Sequence, residues 1–194
     1  MAVVRGIRQL PIRTVLDAGC GAGTLSGYLA AAGLEVLSVD ESQAMLRLAR
    51  QRVPDIHGLQ ADITHVQLPK PVDCAVIALT LHEMNESKRQ AVWHALQGLI
   101  RPNGLCVVMD YTLPPRRTCA GDIARRVIDW DEGMVDRDDP GHYHNYQDFM
   151  CKGGARGWLT GMGVRPVHEE YHLFGNLGVF HVERKVNTST SLPP

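Results

Sequence analysis

One short stretch narrows the folds open to this chain more than any other. Asp17-Ala18-Gly19-Cys20-Gly21-Ala22-Gly23 stands directly after the apolar run Thr14-Val15-Leu16. Glycines at alternate positions let the backbone turn sharply and let another group approach without meeting a Cβ. A buried strand that ends in such a turn and leads into a helix is the opening unit of an open α/β sheet. Ligands of such sheets bind at the carboxyl ends of the strands, where this turn would lie.

The rest of the chain repeats the strand–helix alternation. Residues 24–32, rich in Ala and Leu, predict a helix closed by Gly33. Val36-Leu37-Ser38-Val39 reads as the second strand. Ser42 caps a helix running to about Arg52, with Met45, Leu48 and Ala49 as its apolar face. Residues 56–60 form a weak third strand. Cys74-Ala75-Val76-Ile77-Ala78-Leu79 is a strong fourth, apolar throughout, as a strand covered on both faces must be. Residues 86–100 predict a helix, Arg101-Pro102-Asn103-Gly104 a turn, and Leu105-Cys106-Val107-Val108-Met109 the fifth strand. Residues 164–174 and 178–185 flank Gly175-Asn176-Leu177 and read as a hairpin that adds antiparallel strands. The expected architecture is a Rossmann-like, seven-stranded, mostly parallel sheet with a C-terminal antiparallel hairpin and helices on both faces.

Residues 1–186 suit a single domain, and the Ser/Thr/Pro-rich residues 187–194 a disordered tail. Residues 111–163 exceed a plain connection. They hold helical patterns near 119–129 and 146–159 around an acidic loop at 131–139, and are read as a lid or substrate region. Twenty basic against 21 acidic residues leave a net charge of −1, which argues against a nucleic-acid partner. No apolar run is long enough to span a bilayer and no signal-peptide pattern opens the chain, so no membrane partner is expected. Five cysteines without CxxC spacing suit reduced thiols and a cytoplasmic setting.

Asp40 ends the second strand about 20 residues beyond the glycine turn, where a carboxylate can accept both hydroxyls of a ribose. Each such charge-assisted bond is worth roughly 1.5–3 kcal/mol. The spacing does not fit G-x-G-x-x-G: Thr24 and Ser26 stand where a third glycine would fall. A dinucleotide is therefore disfavoured, and a nucleoside-bearing ligand of another kind is expected.

On these residues the chain resembles the Rossmann-like (class I) S-adenosylmethionine-dependent methyltransferases. Val15 to Gly23 looks like the family's first motif and Asp40 its second. Ala61-Asp62-Ile63 ahead of Leu68-Pro69 looks like the third, Val72 to Leu79 the fourth, and Leu99 to Leu105 the turn before the fifth strand. The resemblance covers roughly residues 13–112, and the closing hairpin agrees with it. It implies S-adenosyl-L-methionine as cofactor and S-adenosyl-L-homocysteine as product. Backbone near Gly19 and Gly21 would hold the methionine end, with Asp17 nearby. Asp62 would meet the adenine amine and Ile63 pack on the ring. The implied cofactor set also takes in Cys20, Glu41, Met45 and Leu79. Only about a dozen residues precede the first strand here. The substrate pocket is then open, roofed by residues 111–163, or completed by a second subunit in a homodimer.

Displacement at a sulfonium needs alignment in a dry pocket, and a base only when the nucleophile must lose a proton. His82, in Thr80-Leu81-His82-Glu83-Met84, follows the fourth strand and is the expected catalytic residue; Glu83 reads as a helix-start charge. His142, Tyr143, His144 and Tyr146 read as substrate or lid residues. With Asp136, Asp138 and Asp139 they form no defined ligand spacing, so no metal is expected. Arg116, Arg117, Arg125 and Arg126 could grip an anion, and Trp93, Trp130 and Trp158 read as core. The expected reaction is methyl transfer to a small-molecule acceptor. A protein or RNA methyltransferase and a non-catalytic S-adenosylmethionine-binding subunit are the alternatives. Near-neutral charge and the absence of an Asn-Pro-Pro-Tyr-like motif after strand four weigh against nucleic acid.

Overall fold

The computed structural model describes residues 2–135 and 141–184. Asp136, Asp138, Asp139 and the tail at 187–194 lie outside these described residues. A short helix α1 (Ala2–Arg8) precedes β1 (Thr14–Ala18). There follow α2 (Thr24–Ala31), β2 (Glu35–Asp40), α3 (Gln43–Arg52), β3 (His57–Gln60) and β4 (Val72–Ala78). Next come α4 (Glu86–Leu99), β5 (Ile100–Tyr111), α5 (Cys119–Val135), α6 (His142–Cys151) and α7 (Gly154–Gly161). β6 (His168–His172) and β7 (Leu177–Glu183) close the chain.

The strands form one seven-stranded sheet in the order β3-β2-β1-β4-β5-β7-β6. β1 to β5 pair in parallel, and β7 inserts antiparallel between β5 and β6. The sheet order reverses between β1 and β4, which opens a crevice at their carboxyl ends. Alternation along the central strands feeds two cores. Leu16, Ala75, Ile77 and Val108 face α4, α6 and α7 through Trp93, Leu96, Phe149 and Trp158. Val15, Cys74, Val76 and Val107 face α1 and α2 through Val3, Ile7, Leu25 and Leu29. The two unbroken apolar runs are thus buried on both sides, as their composition requires.

Several expectations change in the folded chain. On α3 the buried residues are Leu46 and Ala49, while Met45 and Leu48 are exposed. Leu46 reaches down onto Gly58 of β3, where a side chain at Gly58 would crowd it, so the helix turns that face inward. Arg101 to Gly104 form an irregular start to β5 instead of a separate turn, with a register shift opposite Val72 and Cys74. The helical pattern at 146–159 is broken at Gly153 and Gly154, both at positive φ. Thr112 bridges to Gly154 there, and a Cβ on Gly154 would lie 2.5 Å from the Tyr111 carbonyl oxygen. α5 runs on through Val135, so Asp131 is helical and not in a loop. Trp130 is 68% exposed, because α5 turns Gly121, Ile128 and Glu132 inward. With Ile123, Val127 and Met134 it makes an exposed apolar stripe. Trp93 and Trp158 are core, edge to face with ring centroids 5.8 Å apart.

Candidate active site

Gly19, Gly21 and Gly23 all take positive φ (70°, 51° and 75°). A Cβ on Gly19 would stand 2.6 Å from the Thr80 methyl, and one on Gly23 2.8 Å from the Ala49 Cβ. Nothing lies within 4 Å of the space a Gly21 Cβ would take. The turn therefore packs tightly on the loop after β4 and on α3 and leaves open space at its tip. Asp40 fastens the turn: Oδ2 accepts the Gly21 N–H at 2.8 Å and Oδ1 the Ser42 N–H at 2.8 Å. A carboxylate offers about four lone-pair sites, so two remain for a ligand.

A cavity of about 270 Å³ opens at this carboxyl edge. Gly19, Val39, Asp40 and Glu41 form one wall, and Ala61, Ile63, Ile77 and Thr80 another. Glu83, Met84 and Lys88 close the far side. A larger cavity of about 800 Å³ lies at the opposite, amino-terminal ends of β1, β2 and β4, around Val15, Val36 and Val72. Neither the glycine turn nor Asp40 reaches it, so the smaller cavity is the one tied to the motifs.

The expected cofactor residues divide accordingly. Gly19, Asp40, Glu41 and Ile63 line the cavity. Gly21 sits at the tip of the turn. Asp62 lies between two wall residues, its carboxylate taken by Thr64 and the Lys88 ammonium. Partial desolvation would raise its pKa, but Lys88 and Thr64 hold it down at about 2. Lys88 also pairs with Glu41 at 2.9 Å, bridging both sides of the mouth. Nothing in the sequence pattern singled it out, because its partners lie 47 and 26 residues away.

Asp17 and Cys20 are buried and off the wall. Burial pushes the Asp17 carboxyl up to about 6, against the Ser26 hydroxyl bond that favours its charged form and with Asp40 adding to the rise. Burial likewise pushes the Cys20 thiol up to about 12, helped by Asp17 and Asp40. Met45, exposed on α3, is also off the wall. Leu79 is in left-handed backbone (φ 53°), a costly state for a branched residue and one that clusters at functional sites.

His82 is buried, 3% exposed, and does not line the cavity. Its Nδ1 is 2.7 Å from Asp110 Oδ1 at the end of β5. Asp110 Oδ2 accepts the Leu81 N–H at 2.9 Å, with longer contacts to the Thr80 and His82 amides. Asp110 thus shapes the whole loop after β4. Burial alone would disfavour the imidazolium, but Asp110, Glu132 and Glu83 together raise the His82 pKa above its ordinary value. Glu83 is part of the cavity wall and not a helix-start residue; α4 begins three residues later, capped by Asn85 accepting from the Lys88 N–H.

The expected lid residues separate. His142 turns inward, its Nε2 2.6 Å from Glu132 Oε2. Tyr143 and Tyr146 line a shallow outer cleft with Arg125 and Asp129, the Tyr146 hydroxyl donating to Asp129 at 2.6 Å. His144 is exposed. α6 is bolted to the loop after β4: fully buried Arg89 donates to the Leu81 and Asn145 carbonyls and pairs with Asp148, and Asn145 donates to the Glu83 carbonyl.

A doubly wound sheet with its glycine turn and acid-tipped second strand around one crevice defines a Rossmann-like α/β fold. Residues 15–104 match the model of the methyltransferase-domain family. The chain is 32% identical over 133 residues to a demethylmenaquinone methyltransferase of Renibacterium salmoninarum, covering 65% of this chain and 54% of that one. It is 29% identical over 180 residues to a ubiquinone biosynthesis O-methyltransferase of Rickettsia felis, covering 85% and 70%. The chain spans about half the length of several curated relatives it matches. The fold is similar to that of the N-methyltransferase NodS from Bradyrhizobium japonicum, with a TM-score of 0.59, 15% identity, and 90% and 87% of the two chains covered. Among the described residues no helix is long and apolar enough to cross a membrane.

Proposed function

We propose that this chain transfers a methyl group from S-adenosyl-L-methionine to a small-molecule acceptor by in-line displacement, releasing S-adenosyl-L-homocysteine. The observation that carries this reading is the placing of Asp40 and Gly19 on one wall of the cavity at the carboxyl ends of β1, β2 and β4. The residues suit an adenosyl group: Val39, Ala61 and Ile63 make an apolar slot and Asp40 keeps free lone pairs for ribose hydroxyls. Asp62 serves the adenine amine in this reading, and its carboxylate is shared with Lys88.

The bound sulfonium supplies an already activated methyl group. The chain then has to hold the acceptor in line with it and exclude water. Glu83 and Met84 face the far side of the cavity and are the residues placed to meet the acceptor. A proton-accepting role for His82 requires an acceptor atom to reach behind that wall to the buried ring.

The small-molecule class draws support from the near-neutral charge and from the quinone-biosynthesis names of the relatives above. Titration calorimetry with S-adenosyl-L-homocysteine, with NAD as comparison, tests the binding step. Saturable uptake of the first and not the second is expected. A folded protein that takes up neither would remove the assignment. Turnover of a panel of phenolic, amine and carboxylate acceptors then identifies the attacking atom.

A further inference from the structure

We propose that His82, Glu132 and His142 form a binding site for a divalent transition-metal ion of zinc-like ligand preference, adjoining the cofactor cavity. The three residues come from the loop after β4, from α5 and from α6, and all three are buried. One ligand atom from each lies within 4.8 Å of the others. Both imidazoles aim Nε2 at the same carboxylate oxygen, Glu132 Oε2, at 3.7 Å for His82 and 2.6 Å for His142. Tetrahedral zinc with bonds of about 2.0–2.1 Å holds its ligand atoms about 3.3 Å apart, so shifts of up to about an ångström per side chain would seat an ion.

The surroundings have the features of a metal site. Asp110 holds His82 Nδ1 at 2.7 Å, the carboxylate–histidine pairing that fixes the tautomer of a ligating ring and turns the Nε2 lone pair toward the metal. With Nδ1 donating to Asp110, a neutral His82 would point that lone pair at the Glu132 carboxylate. A cation between them, proton or metal, removes the repulsion. Asp110 and Glu132 are 1% and 5% exposed, and neither pairs with a lysine or arginine among the described residues. One dication would balance the two buried carboxylates. Two histidines and a carboxylate leave coordination positions for water or an oxygen donor. Glu83, which lines the cavity, lies close enough to His82 and His142 for their charges to act on it, so the cluster backs directly onto the acceptor side.

The experiment is a titration of chelator-treated, full-length protein with cobalt(II) and with zinc(II), no cofactor added. It is therefore independent of methyl transfer. One equivalent of each is expected, with visible cobalt d–d absorption that zinc abolishes. Glu132→Gln and His142→Ala should each weaken uptake more than 100-fold, and Asp110→Asn about tenfold, through loss of the second carboxylate. His94→Ala, at an exposed position on α4, should leave it unchanged. A folded wild-type protein that takes up neither ion overturns the proposal. So does uptake unaltered in the Glu132 and His142 variants, which would place the ion elsewhere. If those two fail to fold, the wild-type titration and the milder Asp110→Asn variant still decide.

Discussion

At the scale of single residues, Asp40 and Gly19 do distinct jobs. Asp40 secures the turn through the Gly21 and Ser42 amides while keeping lone pairs for a ligand. Asp40→Ala should weaken S-adenosyl-L-homocysteine binding by more than about tenfold in calorimetry on folded protein, since at least one charge-assisted bond is lost. Unchanged affinity would refute the ribose assignment. Gly19 is required twice, by its φ of 70° and by the Thr80 side chain 2.6 Å from where a Cβ would stand. Gly19→Ala should cost about 1–3 kcal/mol in urea denaturation. Adding Thr80→Ala should recover part of that, because it relieves the crowding but not the backbone strain. No recovery would mean that the φ strain accounts for the whole loss. Both residues were legible in the sequence, since each acts through its own residue type at a fixed place in a local motif. Asp110, Glu132, Lys88 and Arg89 were not. Each acts through at least one partner 26 to 59 residues away in the chain, and no local spacing marks such pairings.

At the scale of elements, the loop after β4 is held from both sides. Asp110 gathers its amides from β5, and Arg89 of α4 ties it to α6. Arg89 is fully buried and paired with Asp148. Arg89→Met should destabilise the fold by about 3 kcal/mol, the low end for a broken buried pair because Asp148 is itself part-exposed. Asp148→Asn in the Arg89→Met background should then cost little more, and a full additive loss would show that the two do not act as a pair. The Asn85 cap on α4 belongs to the same scale: Asn85→Ala should cost about 1 kcal/mol, read as a shift in denaturation midpoint. Element types were mostly readable from apolar period and caps. The errors fell where packing overrode pattern: the inward face of α3, the break at Gly153 and Gly154, and the exposed Trp130. At α3 and at the glycine break the deciding contact, with β3 or with Thr112, comes from another part of the chain, and Trp130 is exposed because α5 turns Gly121, Ile128 and Glu132 inward.

For the whole molecule, the central buried acid should shape stability with pH. Asp17 has its carboxyl raised to about 6 from an ordinary 3.8, chiefly by burial. A raised carboxyl favours folding while protonated, so its contribution is complete below about pH 4. It is lost as pH climbs through 6, by at most about 3 kcal/mol. Asp17→Asn should flatten the stability profile between pH 4 and 6 relative to wild type in denaturant titrations; parallel profiles would contradict the shift. By itself the sequence determined the sheet-and-helix alternation, the seven-stranded class of fold, and the glycine turn followed by an acid at the end of the second strand. These follow from backbone freedom and apolar period, which neighbouring residues set. Tertiary structure alone decided which cavity those motifs share, where Lys88 sits at its mouth, and that His82 and His142 meet over Glu132. Such convergence depends on how strands and helices far apart in the chain are brought to one edge of the sheet, and local chemistry carries no record of it.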